Sequence, residues 1–444
     1  MAMAANEDET MRKDILARRA YAQDASVYQE MPLGVLFPAS TEEVIAAVRE
    51  ASRDGHALIP RAAGTSLAGQ CVGDGVVLDT GRHMRAILEL NQEERWVEVQ
   101  PGVIRDELNF YLREFGLFFG PNTSTSNRCM MGGMVGNNSS GSTSISYGTT
   151  REKVLGLELV DASGTLRKVG QINSSGETKL PEAVQLWEKR WTQAYVEQDL
   201  SRHFPHPDIH RRNTGYAIDL LAEAHQDDAR WLQVLCGSEG TLGLTTKIRL
   251  QLDALPPKEV GVIAFHYHRL QEAMAATPQL MKYRPFQLEL MDRTVLECTE
   301  QSKEYASYRD FVQGDPEALL LVELRGETRE DLDKVIAQVQ SDTSYASSVL
   351  FGAETERVWK LRAAGLGLLS NVPGDSKPVA CIEDTAVRVE DLENYIAEFG
   401  ELMASFGQSA VYYAHAGAGE LHLRPILDLK TSEGAQLMFE ISKA

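Results

Sequence analysis

The sequence predicts an α+β protein with two main domains. The chain has 444 residues, which is more than a single compact core usually holds. Its first half mixes strand and helix patterns around glycine-rich stretches, whereas from about Lys258 strands alternate with well-capped helices. Pro256 and Pro257 stand between these parts and suit a stiff boundary. We therefore expect an N-terminal helical extension over residues 1–30, a first domain over residues 31–255 and a second domain over residues 256–444.

The first domain opens with a β-α-β pattern. Val35 to Pro38 reads as a strand, and Ser40 with Glu43 forms a capping box that starts an amphipathic helix. Gly55 ends this helix, and His56 to Ile59 reads as the next strand. The other elements expected in this domain are a hairpin of Ala86–Leu90 and Arg95–Gln100, a helix over Val103–Phe115, and strands over Lys153–Val160 and Thr165–Val169.

The second domain is expected to alternate strands with helices. Its apolar segments are strand-sized, and its helical segments have the period of amphipathic helices. The predicted strands are Val260–Phe265, Gln287–Leu290 and Ala318–Leu324, and the predicted helices are Gln271–Tyr283, Arg329–Gln340, Thr355–Ser370 and Glu390–Phe406.

The composition excludes several classes of protein. Hydrophobic residues make up 43% and charged residues 24%, as in ordinary globular chains. The net charge of −20 disfavours nucleic acid and anionic lipid as partners. Met1 to Arg19 lacks the apolar stretch of a signal peptide, so we expect a cytoplasmic protein and leave open a peripheral position at the inner membrane face. The five scattered cysteines indicate neither a disulfide framework nor a paired metal motif.

The segment from Pro121 to Gly141 carries the clearest chemical signal in the first domain. It reads PNTSTSNRCMMGGMVGNNSSG, and its small residues would let the backbone approach a ligand closely. Exposed N–H groups of such a segment form nests for anions, so a pyrophosphate and a flat ring would fit. A polar surface loop is the alternative. No G-x-G-x-x-G stands between a strand and a helix, so the dinucleotide fold with that phosphate turn is not supported.

A pair of histidines carries the signal in the second domain. His415 and His422 lie on either side of Gly417 and Gly419, and these glycines favour a hairpin over a helix. A hairpin would bring the two imidazoles across from each other, where they could ligate one divalent metal. Structural histidines without a metal are the alternative.

Three motifs together resemble the FAD-binding domain of the vanillyl-alcohol oxidase (PCMH) type. The resemblance is to the branch that contains D-lactate, glycolate and D-2-hydroxyglutarate dehydrogenases. Three motifs in the family's order over more than half of the first domain are hard to produce by chance. The matching segments are Pro60–Gln70, Pro121–Gly141 followed by Tyr147 and Gly148, and Gly237–Leu244, with an N-x-G-Y element at Asn213–Tyr216.

The resemblance implies a two-subdomain FAD-binding domain and then an FAD-linked oxidase C-terminal α+β domain with a ferredoxin-like sheet. Covalent members of the family hold FAD through a histidine in the first loop, and Pro60 to Gln70 contains none, so we expect non-covalent FAD. The implied cofactor-binding residues are Pro60, Arg61, Ala62, Ala63, Gly64, Thr65, Ser66, Gln70, Pro121, Thr125, Asn127, Gly132, Gly133, Asn137, Asn138, Ser140, Gly141, Tyr147, Gly148, Glu239, Gly240 and Leu244.

The resemblance also implies roles in the second domain. His415 and His422 match the family's H-x6-H element, whose histidines bind zinc or a related divalent metal, and they are the implied metal ligands. Arg362 matches the position that clamps a substrate carboxylate, and its planar guanidinium suits that role. A solvated helix cation is the alternative for Arg362. Glu383, beside Asp384 on an expected strand, is a further site candidate.

One family segment is missing from the sequence. In the family, a Glu-His-Gly segment supplies a third metal ligand and the catalytic base, and none follows Leu437 to Ala444 here. The sequence from His415 to Pro425 resembles that of long bacterial members with an iron–sulfur module more closely. Arg424 differs from the smaller polar residue that the short D-2-hydroxyglutarate enzymes have at this position. We therefore expect a truncated flavin part with impaired activity, and an iron–sulfur cluster only in a missing C-terminal portion.

The implied function is oxidation of a D-2-hydroxy acid to the 2-oxo acid by hydride transfer to the flavin. The expected partner is a small 2-hydroxy acid, the electron acceptor is not indicated, and a homo-oligomer is left open. Two alternatives come from other classes. A same-fold enzyme such as a sugar-alcohol oxidase or a flavin reductase of cell-wall precursors would share the FAD motifs without needing Arg362, His415 and His422 together. A flavoprotein module without its own catalysis would bind FAD that no hydroxy acid reduces.

Overall fold

A computed structural model describes residues 11–212, 215–223 and 228–444. Asn213 and Thr214 of the N-x-G-Y element lie outside the described residues, as do positions 1–10 of the expected N-terminal extension. The chain divides into two compact units. Unit 1 comprises residues up to 141, 147–205 and 213–255, and unit 2 comprises residues 142–146, 206–212 and 256–444. Two short segments within the first half of the chain thus belong to unit 2.

The first 255 positions contain strands and helices in roughly equal number. The strands are β1 (Gly34–Leu36), β2 (Leu58–Arg61), β3 (Val76–Asp79), β4 (Ile87–Asn91), β5 (Trp96–Val99), β6 (Leu117–Phe118), β7 (Val154–Val160), β8 (Leu166–Gly170), β9 (Leu244–Gln251) and β10 (Asp253–Ala254). The helices are α1 (Ile15–Ala20), α2 (Thr41–Asp54), α3 (Arg105–Leu112), α4 (Met131–Asn137), α5 (Ser144–Tyr147), α6 (Thr150–Lys153), α7 (Glu182–Glu197), α8 (Asp219–Glu223) and α9 (Trp231–Leu235).

A small parallel sheet opens unit 1. Strands β1 and β2 both pair in parallel with β3. Helix α2 packs on this sheet through Val44 and Val48. Ser40 caps the helix by accepting the Glu43 N–H at 3.2 Å, and Gly55 ends it at φ 72°. The N-cap at Ser40 is confirmed, but the predicted capping box is wrong in its second bond, because the Glu43 carboxylate accepts from the N–H of Ala39 rather than from that of Ser40.

A five-stranded antiparallel sheet forms the second layer of unit 1, in the order β4-β5-β9-β7-β8. The predicted hairpin is confirmed, since β4 pairs with β5. The predicted helix after Val103 is α3, which continues as a 3-10 turn to Phe115 and ends at Gly116 with φ 70°. Glu98 and Arg249 face each other across β5 and β9, where the buried Glu98 carboxylate accepts two guanidinium bonds of 2.9 and 2.7 Å.

Unit 2 is built on a sheet of eight strands. The strands are β11 (Glu259–Tyr267), β12 (Gln287–Asp292), β13 (Ala318–Gly326), β14 (Ser347–Phe351), β15 (Lys377–Pro378), β16 (Ile382–Ala386), β17 (Ala410–His415) and β18 (Glu420–Leu427). The helices are α10 (Leu270–Met281), α11 (Arg293–Glu300), α12 (Arg329–Ser341), α13 (Ala353–Leu368), α14 (Leu392–Ser405) and α15 (Ser432–Lys443).

The first four strands of this sheet have ferredoxin-like topology. Their order is β14-β11-β13-β12 and every neighbouring pair is antiparallel. This is the split β-α-β arrangement, so the expected ferredoxin-like sheet is confirmed. The alternation of strand residues explains how both faces are covered. Ile263 and Phe265 pack with α12 and α14 on one face, while Val262 and Ala264 pack with α11 and α13 on the other.

A hairpin of β17 and β18 extends the sheet beyond β12. Strand β17 pairs with β12, and β18 pairs with β17, β15 and β16. The turn is a 3-10 segment, Ala416–Ala418, followed by Gly419 at φ 68°. Within the described part of the chain, no helix combines the length and hydrophobicity that a membrane crossing needs.

Replacing Gly419 tests whether this turn sets the hairpin. A Cβ at Gly419 would lie 2.1 Å from the carbonyl oxygen of Val387, and its φ is unfavourable for other residues. We expect Gly419→Ala to lower the free energy of unfolding by about 3 kcal/mol, because backbone strain and the steric clash each contribute roughly 1–3 kcal/mol. Urea unfolding followed by circular dichroism measures this change.

Gly407→Ala is the matched control. Gly407 also has a positive φ, of 64°, but a Cβ there would have no neighbour within 4 Å. Its substitution should cost only about 1 kcal/mol. Equal losses for the two variants would show that the contact with Val387 does not matter.

Candidate functional site

In unit 1, a loop with unused backbone donors follows strand β2. The loop begins after Arg61, and Gly64 takes a left-handed conformation at φ 65°. Among the described residues, no protein acceptor receives the N–H groups of residues 62–67. The Arg61 guanidinium bends back to donate to the carbonyl of Gln23 at 2.9 Å. Consecutive free N–H groups of this kind form a nest for an anion.

The small-residue segment forms helix α4 and is tied to the Gly237–Leu244 segment by backbone hydrogen bonds. Gly237 donates to the carbonyl of Val135 at 2.9 Å, and Glu239 donates to that of Gly136 at 2.8 Å. Both ends of this contact contain non-glycine residues with left-handed backbone, Asn138 at φ 57° and Glu239 at φ 52°. Such conformations persist only where the surrounding structure enforces them.

All three sequence motifs meet at Glu239. Its carboxylate accepts from Asn137 Nδ2 at 2.9 Å, and Gln70 of the first motif also hydrogen-bonds to it. Burial raises the pKa of Glu239, while these two amide donors oppose the shift. Gly240 packs directly against Pro60, because a Cβ there would lie 2.3 Å from the proline Cγ. The structure therefore brings the three segments into one place within unit 1.

Several predicted cofactor residues have specific positions around this cluster. Asn138 Nδ2 and Ser140 Oγ are buried and have no hydrogen-bond partner among the described residues. A Cβ on Gly133 would lie 3.3 Å from the Ala62 side chain, and Gly133 is itself exposed. Gly132 packs on the backbone and ring of Pro101. These glycines keep the surface between the first and second motifs free of side chains.

Other predicted cofactor residues make contacts within the protein. The Pro121 carbonyl accepts from Arg105 at 2.9 Å, Thr125 lies 3.2 Å from the Thr123 hydroxyl, and Asn127 is exposed. The ring of Tyr147 meets that of Phe118 edge-on at 5.0 Å, and Gly148 has φ 72°. Leu244 is buried in the core, so its side chain is structural. Gly141 is closely packed, because a Cβ there would lie 2.7 Å from the carbonyl oxygen of Asn122.

In unit 2, His415 and His422 lie on neighbouring strands of the β17–β18 hairpin. Their ring centroids are 5.2 Å apart and the rings are nearly perpendicular. The sequence predicts that they stand directly across from each other, and the register differs from this. His422 pairs with Tyr413, and His415 pairs with Glu420, because the turn uses only the four residues 416–419, whereas direct pairing of the two histidines would leave six residues between them. The two rings still meet, since all four side chains share one face.

The first histidine is held by a buried ion pair. His415 Nδ1 lies 3.0 and 2.9 Å from the two carboxylate oxygens of Glu289 on β12. The same carboxylate accepts from Arg362 on α13, and both partners are buried. The Arg362 guanidinium also stacks 3.4 Å above the Tyr413 ring. Arg362 is therefore not a solvated helix cation, and that alternative is wrong.

The second histidine is held by two acids of β16. His422 Nδ1 lies 2.7 Å from Glu383 and 3.1 Å from Asp384. Asp384 reaches this position through a bulge in β16, where its φ is 55°. Glu383 in turn pairs with the buried Arg424, two residues beyond His422 on β18. The candidate Glu383 is thus a direct partner of the histidine.

The two imidazoles differ in charge. Burial lowers the pKa of His415 to about 4, against the opposing effect of Glu289. Burial also lowers the pKa of His422, but hydrogen bonds to Asp384 and Glu383 outweigh it and raise that pKa to about 10. The same contact holds the pKa of Asp384 well below its usual range. At neutral pH, His415 is neutral and His422 is cationic.

Four ionisable groups of this cluster are not predicted from the sequence: Arg211, Glu289, Asp384 as a histidine partner, and Glu420. Glu420 is fully buried, and burial raises its pKa to about 8 although it pairs with Arg211. Glu289 had a local signal, because it lies between Leu288 and Leu290 on an otherwise apolar strand. A charged residue inside such a strand is unusual unless it has a partner.

Two sets of atoms could hold a divalent cation. Glu383, Asp384 and the Nδ1 side of His422 form one group of close ligand atoms. The other is the predicted pair of His415 and His422, whose Nε2 atoms have no hydrogen-bond partner among the described residues. Arg424 contacts Glu383 and would repel a cation in the first group.

Family comparison gives the architecture. Residues 32–170 match the FAD binding domain model, and residues 256–444 match the model of the C-terminal domain of FAD linked oxidases. The chain therefore contains segments that match an FAD binding domain and an FAD linked oxidase C-terminal domain. Pro60–Gln70 and Pro121–Gly141 lie within the first match, whereas Gly237–Leu244 lies between the two matches; His415 and His422 lie within the second match.

Curated relatives are similar along nearly the whole chain. The chain is 35% identical to D-2-hydroxyglutarate dehydrogenase of Pseudomonas putida over 97% of its length, and 33% identical to that of Pantoea ananatis over 96%. It is 28% identical to the glycolate oxidase subunit GlcD of Bacillus subtilis over 94% of its length, which is 78% of that protein. The chain spans 44% of the length of the two D-2-hydroxyglutarate dehydrogenases.

Solved structures of the same fold include more distant proteins. An alkyldihydroxyacetonephosphate synthase matches 97% of this chain with a TM-score of 0.65 and 17% identity. The 4-ethylphenol oxidase of Gulosibacter chungangensis matches 98% of it with a TM-score of 0.62 and 16% identity. At these identities the comparison shows the shared fold.

The difference in charge between the two imidazoles can be measured. In metal-free protein, ring nitrogen chemical shifts should show His422 doubly protonated from pH 6 to about 9 and His415 neutral above about pH 5, as their pKa values of about 10 and 4 require. By linkage, His422 stabilises the fold below pH 6.5 and loses this contribution as the pH rises through 10, whereas His415 loses its contribution as the pH falls through 4.

Asp384→Asn is the control for this measurement. It should lower the pKa of His422, because one of its two carboxylate partners loses its charge. His415 has Glu289 as its partner and should remain neutral at pH 7. Titration of both rings near their ordinary pKa in the unsubstituted protein would contradict the arrangement.

Proposed function

We propose that this protein is an FAD-dependent dehydrogenase that oxidises a D-2-hydroxy acid to the 2-oxo acid. The observation that carries the proposal is the joint presence of Arg362, His415 and His422 in one buried cluster of an FAD-linked oxidase C-terminal domain. A same-fold enzyme for uncharged alcohols has no need of this combination. Relatives named D-2-hydroxyglutarate dehydrogenase and D-lactate dehydrogenase support the substrate class.

The residues of unit 1 fit FAD. The free N–H groups of residues 62–67 suit a pyrophosphate, and the orphaned polar atoms of Asn138 and Ser140 suit further polar groups of the cofactor. Glycines of α4 leave room for close approach, and the first loop has no histidine for a covalent bond. We propose that FAD binds non-covalently through the residues of the three motifs. FAD, when bound, supplies the hydride-accepting chemistry at its N5 atom.

The residues of unit 2 would bind and orient the acid. Arg362 is proposed to hold the substrate carboxylate, since its Nε is buried without a partner among the described residues and its charge is fixed by Glu289. His415 and His422 are proposed to hold a divalent cation such as zinc through their Nε2 atoms. Such a cation would supply Lewis-acid polarisation of the 2-hydroxyl. Glu289 and Arg362 are buried, which strengthens the electrostatic interaction between them.

Gly133→Ala tests the FAD site. A methyl group at this exposed helix position should be tolerated by the fold, because its nearest neighbour is the Ala62 side chain at 3.3 Å. We expect unchanged or slightly raised stability and at least about tenfold weaker FAD binding, since about 1.4 kcal/mol of lost contact is sufficient. Flavin fluorescence titration of the FAD-free protein measures the affinity, and acid precipitation should release the flavin into the supernatant.

Gly400→Ala is the control, because it also adds a methyl group inside a helix with no neighbour closer than 3.9 Å. It should leave FAD affinity unchanged. Equal FAD affinity in Gly133→Ala and the unsubstituted protein would refute the motif assignment.

Anaerobic flavin reduction tests the activity. FAD-loaded protein supplied with Zn²⁺ should be bleached slowly, at the impaired rate expected from the sequence, by D-2-hydroxyglutarate, D-malate or D-lactate, and not by the L enantiomers or by sugar alcohols. Arg362→Lys keeps the charge but loses the planar fork, so it should raise KM for the acid about tenfold or more with a smaller change in kcat.

The rival functions give different outcomes of this experiment. Bleaching by a sugar alcohol alone would indicate a same-fold oxidase of another substrate. Flavin that dithionite reduces and no hydroxy acid reduces would indicate a flavoprotein module without its own catalysis. Either result would overturn the proposed dehydrogenase.

A further inference from the structure

One glutamate carboxylate, fully buried in Glu289 and partly buried in Glu383, joins an arginine to each of the two histidines. In the first case, Glu289 on β12 receives His415 Nδ1 on both of its oxygens, at 3.0 and 2.9 Å. Arg362 donates to the same carboxylate, whose side chain is only 1% exposed. Three residues from three separate elements thus form one chain of charge-assisted hydrogen bonds.

The second case repeats this pattern on the other side of the pair. Glu383 on β16 receives His422 Nδ1 at 2.7 Å. Arg424 pairs with the same carboxylate, and its side chain is 8% exposed. The same order of arginine, glutamate and histidine thus occurs twice.

We propose that Glu289 and Glu383 are positioning residues that hold His415 and His422 so that each offers Nε2 to one divalent cation. The inference rests on the metal site proposed above. It deepens that proposal, because it assigns a role to groups that do not touch the cation.

The hydrogen bonds fix which nitrogen carries the proton. A carboxylate paired with arginine is ionised and can only accept, so Nδ1 of each histidine must be the N–H donor. The lone pair of neutral His415 is then on Nε2, and His422 offers its Nε2 lone pair once a cation has displaced the Nε2 proton. This is the arrangement by which an outer carboxylate orients a metal-binding histidine and increases its basicity.

The arginines keep the carboxylates out of the metal coordination. Arg362 and Arg424 place a positive charge on the far side of each glutamate, where it repels a cation. They also fix the carboxylates, since leaving a buried acid without a partner is costly. The glutamates therefore contact the histidines and do not act as ligands of the cation.

The two sides differ in one respect that makes the proposal testable. His422 has a second acid, Asp384, at 3.1 Å, which can replace Glu383 as acceptor. Among the described residues, Glu289 is the acid that hydrogen-bonds to His415. Loss of Glu289 should therefore have a larger effect than loss of Glu383.

The experiment measures Zn²⁺ affinity of FAD-loaded, metal-free protein by competition with a chelator. Glu289→Gln should weaken Zn²⁺ binding 10- to 100-fold, the effect usual for an outer partner of a metal ligand. Glu383→Gln alone should weaken it less than about tenfold, and Glu383→Gln with Asp384→Asn should approach the Glu289→Gln effect. Ring nitrogen shifts should show that His415 of Glu289→Gln moves its proton from Nδ1 to Nε2, because an amide can donate to Nδ1.

Glu323→Gln is the matched control. Glu323 is also a buried acid of this sheet, paired with Arg325 at 2.6 Å and with Gln287 at 3.0 Å, but it touches no histidine. Its substitution should destabilise the protein to a similar extent and leave Zn²⁺ affinity unchanged. If Glu289→Gln fails to fold, Glu289→Asp keeps the charge beside Arg362 and shortens the reach to His415, so it should still weaken Zn²⁺ binding.

Three results would overturn the inference. One is unchanged Zn²⁺ affinity in Glu289→Gln together with loss of binding in His415→Ala. This result would support the metal site but show that Glu289 does not position His415. Another is affinity that depends on His422, Glu383 and Asp384 but not on His415, which would place the cation among the acids. The third is no Zn²⁺ binding by the unsubstituted protein. Flavin reduction by hydroxy acids is measured separately, so failure of the dehydrogenase proposal is distinguishable from each of these.

Discussion

The ion pair of Glu289 and Arg362 is the interaction on which the polar cluster of unit 2 depends. Both side chains are buried, and one carboxylate serves the guanidinium of α13 and the imidazole of β17. Removing one partner of a buried pair typically costs about 3–5 kcal/mol, because the other charge remains in the interior. The position of α13 over the sheet, the orientation of His415 and the stacking on Tyr413 are therefore coupled. A small change at Glu289 would alter all three.

Local signals in the sequence predicted much of the fold. The Ser40 cap, the left-handed Gly55 and the hairpin glycine Gly419 act within a few residues of where they stand, and the structure agrees with each. The register of the β17–β18 hairpin was not predictable in the same way. The register depends on how many residues the turn between the two strands contains. In the structure, His422 pairs with Tyr413.

Long-range partners could not be predicted. Glu289 and His415 are separated by 126 positions in the sequence, and only the pairing of β12 with β17 brings them together. In unit 1, the motifs were recognisable one by one, but nothing in Gln70, Asn137 or Glu239 alone showed that the two amides would converge on one carboxylate. Spacing along the chain indicates candidate residues, whereas their hydrogen-bond partners follow from sheet order and helix packing.

The path of the chain has a consequence for folding. Residues 142–146 and 206–212 belong to unit 2, although they precede its main part, residues 256–444, in the sequence. Arg211 from the second segment pairs with the fully buried Glu420 and contacts Ser144 from the first. A chain of residues 256–444 alone would bury Glu420 without its cation. Residues 256–444 therefore do not contain all of unit 2. The last steps of its folding need contacts between residues that are far apart in the sequence, and such contacts form slowly.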